Sequence, residues 1–284
     1  MLGVVKVVFC EKSYFSCIFR RLFSKNIVLT DQDAGADGLI YCEIKIIRFK
    51  TDSEKSFRKR VKRGLKKARR WGVDAVIKSK SLPDDLDDGL EIPLFCGFDF
   101  KKLCALQMIS QIHAQTKDAH FSAAIYDPDF AYTDYGLCRK IAKFCRMIYI
   151  ISNERHKAEE LIKNLTFNWG ICVSYVNDCE CITNSDFVFL FENPAKFFDI
   201  NPRTLFFDLS ADRITLPLDN MAVDFRFTGP NLKIPGDVYH AEFLGWFYRE
   251  NRIFERAVIK LTGAMLQNGF CRYCSEFAAA VLKT

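Results

Sequence analysis

The chain has 284 residues, 49% of them apolar and 27% charged, with a formal net charge of +6. This length accommodates one large or two ordinary domains. The composition lies close to the soluble average, which excludes collagen-like, disordered and disulfide-miniprotein architectures. So modest a positive charge does not by itself mark a nucleic-acid binder.

Twenty-seven phenylalanines predict an aromatic-rich core. Residues 1–10 form a short apolar run that meets Glu11 and Lys12 at once. With no basic leader and no small-residue cleavage site, the run reads as a first strand rather than an export signal. The twelve cysteines are therefore expected in a reducing, cytoplasmic compartment, packed as small hydrophobes. No apolar stretch reaches the ~18–20 residues of a membrane helix, so no membrane partner is expected.

In chain order, 4–10 reads as a strand, 14–24 as a helix, and 26–30 and 39–49 as strands. The Asp- and Gly-rich stretch 31–38 between them reads as a loop. A helix is predicted over 53–71, opened by a Thr51/Glu54 capping box and closed by Gly72. A strand follows at 74–80. The Pro- and Asp-rich segment 81–93 is loop-like and marks a candidate boundary, giving an N-terminal α/β subdomain over 1–97 and a second domain over 98–284.

In the second domain, 99–115, 133–146 and 154–168 read as helices. The segments 119–126, 147–152, 170–176, 187–191 and 204–209 read as strands, with two more short strands within 213–227. Residues 239–269 and 275–282 read as helices. Repeated β–α–β order with short connections predicts an α/β fold: a mainly parallel sheet covered by helices on both faces.

Nine basic residues lie between Arg58 and Arg70, beside an apolar stripe of Phe57, Val61, Leu65 and Ala68. One face of that helix is expected to pack and the rest to stay cationic. A polyanion such as RNA or an acidic surface would be attracted to it, although no recognised nucleic-acid module stands beside it, which makes nucleic acid the less favoured partner. Cys271 and Cys274 have the spacing of a zinc half-site or redox pair, but no second half-site accompanies them, and metal-free thiols are expected. Neither a nucleophile-elbow nor a P-loop motif occurs.

The strand end at Ser152-Asn153-Glu154-Arg155-His156-Lys157-Ala158-Glu159-Glu160-Leu161 resembles the N-R-T-x-x-K-A-x-x-L segment of the shikimate dehydrogenase family, with Glu154 inserted. The stretch from Asn184 to Leu190 is similar to the Asp-led strand common to many dehydrogenases. The resemblance covers about 121–210 and implies a Rossmann-like, NAD(P)-binding-like domain with NAD or NADP as the cofactor. Independently of it, a parallel sheet leaves a crevice at its strand C-terminal ends, where ligands bind. The candidate binding residues there are Asp127, Tyr132, Thr133, Gly136, Asn153, Glu154 and Arg155. Glu154 suits a ribose diol and Arg155 a 2′-phosphate, while both also suit the start of a helix.

The chain departs from the family at two places. Where the family has a glycine-rich turn, 127–136 offers only Gly136 and sets Asp127, Asp129, Asp134, Phe130 and Tyr132 against a pyrophosphate. The family's N-V-T-x-P-x-K catalytic segment has no counterpart, so no catalytic residue is assigned. The expectation is a non-catalytic or divergent member of the dehydrogenase-like fold. The alternatives are an NAD(P)-dependent oxidoreductase with an altered phosphate loop, and a nucleic-acid or anionic-surface binder acting through helix 58–70. The ligand is left open between a small molecule and a dinucleotide.

Overall fold

The structure, a computed structural model, describes residues 1–10, 27–33, 40–80, 82, 91–116, 120–177, 180–194, 201, 203–210, 214, 218–228, 233–251, 260–267 and 271–282. The predicted helix 14–24 and most of the loop segments 31–38 and 81–93 lie outside the described residues. The elements run β1 (Leu2–Cys10), β2 (Ile27–Asp33), β3 (Ile40–Phe49), α1 (Glu54–Arg70), β4 (Ala75–Ile77), α2 (Phe98–Gln115), β5 (Phe121–Tyr126), α3 (Tyr135–Ile141), β6 (Cys145–Ile151) and α4 (Arg155–Trp169). They continue with β7 (Val173–Val176), α5 (Glu180–Thr183), β8 (Phe187–Leu190), β9 (Leu205–Asp208), β10 (Met221–Thr228), α6 (His240–Asn251), β11 (Lys260–Leu266), β12 (Cys271–Tyr273) and α7 (Cys274–Leu282).

The chain divides into two compact units. One comprises Met1–Gly97 with Thr228–Ile259, the other Phe98–Phe227 with Lys260–Thr284. The second unit is not the single run 98–284, because the segment containing α6 belongs with the first.

In the first unit the sheet order is β2-β3-β1-β4. β1 is parallel to both β3 and β4, and β2 is antiparallel to β3. β2 extends through Asp33, so the Asp-rich stretch begins as strand rather than loop: antiparallel pairing of Asp31, Gln32 and Asp33 with Cys42, Tyr41 and Ile40 overrides its turn-like composition. Helix α1 packs on this sheet through Phe57, Val61, Leu65 and Ala68, all buried against Val5, Cys42, Ile44, Ile46 and Val76.

The cap of α1 differs from the predicted box. Ser53 is the N-cap, accepting from the Ser56 backbone N–H at 3.2 Å, while Glu54 turns to Arg48 and Arg58. The C-terminus is closed as predicted. Gly72, at φ +92°, donates to Arg69 O and Val73 donates to Ala68 O, the paired bonds of a Schellman motif.

In the second unit the sheet order is β12-β11-β10-β9-β8-β5-β6-β7. The pairs β5–β6, β6–β7, β5–β8, β8–β9 and β9–β10 are all parallel, and β11–β12 is antiparallel. Counted from β5, the six strands β7-β6-β5-β8-β9-β10 follow the order 3-2-1-4-5-6 of the doubly wound, Rossmann-like α/β fold. Burial on both faces explains why β8 (FVFL) and β9 (LFFD) are unbroken buried runs rather than alternating ones. The phenylalanines line up across the strands: Phe121 meets Phe187 at 5.0 Å, and Phe207 meets Phe189 at 5.4 Å and Phe225 at 6.3 Å.

Three expectations are corrected here. The helix expected over 133–146 is only Tyr135–Ile141, because β6 already begins at Cys145. The two short strands expected within 213–227 are one strand among the described residues, β10. Of the helix expected over 239–269, His240–Asn251 is helical, 252–259 lie outside the described residues, and Lys260–Leu266 is strand β11. Its Leu261 and Met265 share helical spacing, but the strand's place between β10 and β12, with Gly263, Ala264 and Met265 paired to β12, decides their state. That pairing needs Gly263, where an added Cβ would stand 2.3 Å from Arg272 O.

Candidate functional site

In a 3-2-1-4-5-6 sheet the connections leave in opposite directions from strands 1 and 4, opening a crevice between them at their C-terminal ends. Here those strands are β5 and β8. The loop after β5 is bound to both neighbouring strand ends. Asp127 donates its backbone N–H to Ile151 O, and Pro128 O accepts from the Asn153 N–H at 2.9 Å and the Ser152 hydroxyl at 2.9 Å. Across the crevice the Phe191 N–H donates to Tyr126 O at 3.1 Å.

Asp127 is wholly buried. Its carboxylate accepts from the backbone N–H groups of Ala131 (3.1 Å), Tyr132 (2.8 Å) and Thr133 (2.7 Å) and from the Thr133 hydroxyl (2.8 Å). Four donors on one carboxylate offset the cost of burying its charge. From the sequence Asp127 is expected to face a ligand; its carboxylate faces inward and takes up the loop's own donors. Asp134 is likewise engaged, capping α3 through the Leu137 N–H at 2.7 Å. Of the three loop acids Asp127 is buried, while Asp129 and Asp134 are exposed. Phe130 holds a positive φ of 53°, a position a glycine would take at no steric cost.

Tyr132 extends from this loop into an aromatic group. Its ring lies 4.4 Å from Phe98 and 5.4 Å from Phe191, and Phe98 and Phe191 are themselves 5.4 Å apart. The Lys102 ammonium sits 4.9 Å from the centre of the Phe98 ring. Phe191 is the first residue beyond β8 and is fully buried, so these rings fill the space between the ends of β5 and β8. Glu192 follows it. Burial, reinforced by the charges of Asp129 and Asp127, pushes its carboxyl above the usual carboxylate range.

The remaining candidates do not converge on this crevice. In Gly136 an added Cβ would meet only the Asp134 carboxylate, at 3.2 Å, so the glycine does not serve close packing against another element. Asn153 is exposed and held through its backbone. Glu154 is the N-cap of α4 without a side-chain cap bond; its N–H donates to the Ser152 hydroxyl, and its carboxylate pairs with Lys157 at 3.2 Å. Arg155 is exposed and pairs with Glu159 one turn on, at 2.7 Å. Both behave as residues at a helix start. Sequence reading did not select Phe98, Phe191 and Glu192. The available signal was position, since 191 and 192 follow the first strand of the second half of the sheet.

Among the described residues Cys42, Cys104, Cys138, Cys145 and Cys274 are buried. Burial pushes the Cys138 and Cys145 thiols up to about 12 and, with the charge of Asp31 adding to it, the Cys42 thiol up to about 11. Among the described residues no three His, Cys, Asp or Glu side chains are grouped to hold a metal, and the Cys271 side chain lies outside them. No described helix is long and apolar enough to cross a membrane.

No family model and no curated protein matches this chain. Solved structures that resemble it in shape include these two. One is CmnK, at 16% identity with a TM-score of 0.30, over 46% of this chain and 41% of that one. The other is L-tryptophan dehydrogenase from Nostoc punctiforme, at 13% identity with a TM-score of 0.28, over 66% of this chain and 55% of that one. The chain thus spans about half the length of these neighbours, and scores this low assign nothing. The Rossmann-like class rests on the strand order, and neither neighbour bears on the shikimate dehydrogenase resemblance.

Proposed function

We propose that this chain is a divergent, non-catalytic member of the dehydrogenase-like fold whose strand-end crevice does not take a dinucleotide. The carrying observation is the buried Asp127 carboxylate, which consumes the backbone donors of Ala131, Tyr132 and Thr133. In a phosphate-binding turn such N–H groups point at the ligand. Here a fixed negative charge already occupies them, and the clustered rings of Phe98, Tyr132 and Phe191 occupy the adjoining volume. A reducing, cytoplasmic location suits the buried thiols.

The test is a thermal-shift series with NAD, NADP and their reduced forms. A ligand that binds only the folded state raises Tm by mass action. The proposal expects no saturable shift. The competing reading, an NADP-dependent oxidoreductase, draws on the exposed guanidinium of Arg155 at the β6 end. It requires a saturable NADP shift that Arg155→Ala abolishes, and that result would overturn the proposal.

A further inference from the structure

Helix α1 carries more positive charge than the fold uses. Its apolar stripe is spent on the sheet of its own unit, with Phe57, Val61 and Ala68 fully buried. Arg60 turns inward, where its guanidinium binds Asp52 through two nitrogens, donates to Ile47 O and lies 5.2 Å from the centre of the Phe49 ring. Arg58 pairs with Glu54, Lys66 pairs with Glu91, and Arg69 donates to Glu91 O. Lys59, Arg63 and Lys67 are exposed and, among the described residues, have no acidic partner. They stand four residues apart, and the next residue at that spacing is Trp71, the C-cap, whose surface is half exposed. At 1.5 Å per residue the row Lys59–Arg63–Lys67–Trp71 spans about 18 Å along one side of the helix.

From this row we infer a binding surface for single-stranded nucleic acid. Three cations in file match a chain of phosphates, and the Arg63 guanidinium forms forked bonds to phosphate oxygens. The indole at the end of the row offers a face on which an unpaired base stacks, which a duplex cannot supply without opening. An acidic membrane is the weaker fit. A helix lying in a lipid interface buries its apolar face there, and the apolar face of α1 is committed to the sheet.

The test uses the whole chain and fluorescently labelled oligo(dT) and oligo(U) of about 12 nucleotides, within the usual site sizes of single-strand binders. Anisotropy is read across a series of KCl concentrations. With three neutralised phosphates, the logarithm of the affinity should fall against the logarithm of salt with a slope of about −2, at ~0.7 per phosphate. Combining Lys59→Glu, Arg63→Glu and Lys67→Glu should weaken binding at least about tenfold and flatten the slope. Should that variant lose its helical circular dichroism, the Gln triple variant replaces it, with the same direction expected. Trp71→Ala should weaken binding about fivefold or more while leaving the slope unchanged, because stacking releases no counterions. Equal affinity of the triple variant and the parent, tighter binding to duplex than to single strand, or capture by phosphatidylserine vesicles without oligonucleotide binding would each overturn the inference.

Discussion

Removing the Asp127 carboxylate strips Ala131, Tyr132 and Thr133 of their backbone acceptor at once. The Thr133 N–H and hydroxyl are buried, and unsatisfied buried donors are expensive, so Asp127→Ala is expected to cost about 3 kcal/mol or more, with Asp127→Asn losing less because one amide oxygen still accepts. Urea midpoints of the two variants measure the difference, and equal losses would show that the loop does not depend on that acceptor. Glu192 gives a pH-dependent counterpart. Its carboxyl is raised in the folded chain by burial and by Asp129 and Asp127, so the folded state is disfavoured as Glu192 ionises. Below the ordinary glutamate range both states are protonated and there is no penalty; the penalty grows as pH rises through the raised folded value. Glu192→Gln should therefore raise Tm at pH 7 and lose that advantage near pH 4. A Tm difference constant across this range would contradict the assignment.

At the scale of elements, α1 separates two capping readings that look equivalent along the chain. Thr51 and Ser53 both precede the first turn, but only Ser53 accepts the Ser56 N–H. Ser53→Ala should cost about 1 kcal/mol and Thr51→Ala close to nothing, as thermal unfolding followed by circular dichroism would show. The β11–β12 pair depends on one glycine. In Gly263→Ala the new methyl would press on backbone rather than on a flexible side chain, so the hairpin must separate locally. Hydrogen exchange at 260–266 should then rise sharply, and unchanged protection would refute the requirement. These two elements also show where local pattern misleads. The capping box is a spacing rule, and which hydroxyl turns inward depends on the entry angle of the chain. The leucine and methionine spacing of β11 suits a helix as well as a strand until a partner strand is present.

For the whole molecule, the thiols report on opening rather than on chemistry. Cys138 and Cys145, held near 12 by burial and by the nearby charges of Asp134 and Asp186, carry almost no thiolate at neutral pH. Their alkylation is expected to follow global unfolding, whereas the exposed Cys172 is expected to react in the folded state. Peptide mass spectrometry across a urea series would distinguish the two classes, and early modification of Cys138 in native buffer would contradict it. The sheet of the second unit was legible at this scale because its strands alternate with helix signals and the central ones, such as FVFL and LFFD, are buried along their whole length. Membership of the segment containing α6 in the first unit was not legible, since nothing in its composition distinguishes which sheet it accompanies.

By itself the sequence determined the β–α alternation, the buried face of α1 through Phe57, Val61, Leu65 and Ala68, and the helix stop at Gly72. Each of these is a consequence of periodicity or backbone preference within a few neighbouring residues. It also exposed the acid-rich, glycine-poor turn where a phosphate loop would stand. Only the tertiary structure decided what those acids do. Asp127 could face a ligand or the loop's own donors with the same neighbours in sequence, and its direction is set by a turn tied to β6 through Pro128 O. The aromatic cluster of Phe98, Tyr132 and Phe191 joins three residues far apart in the chain, brought together because β8 lies beside β5 in the sheet. Such contacts follow from strand order, which local patterning does not encode.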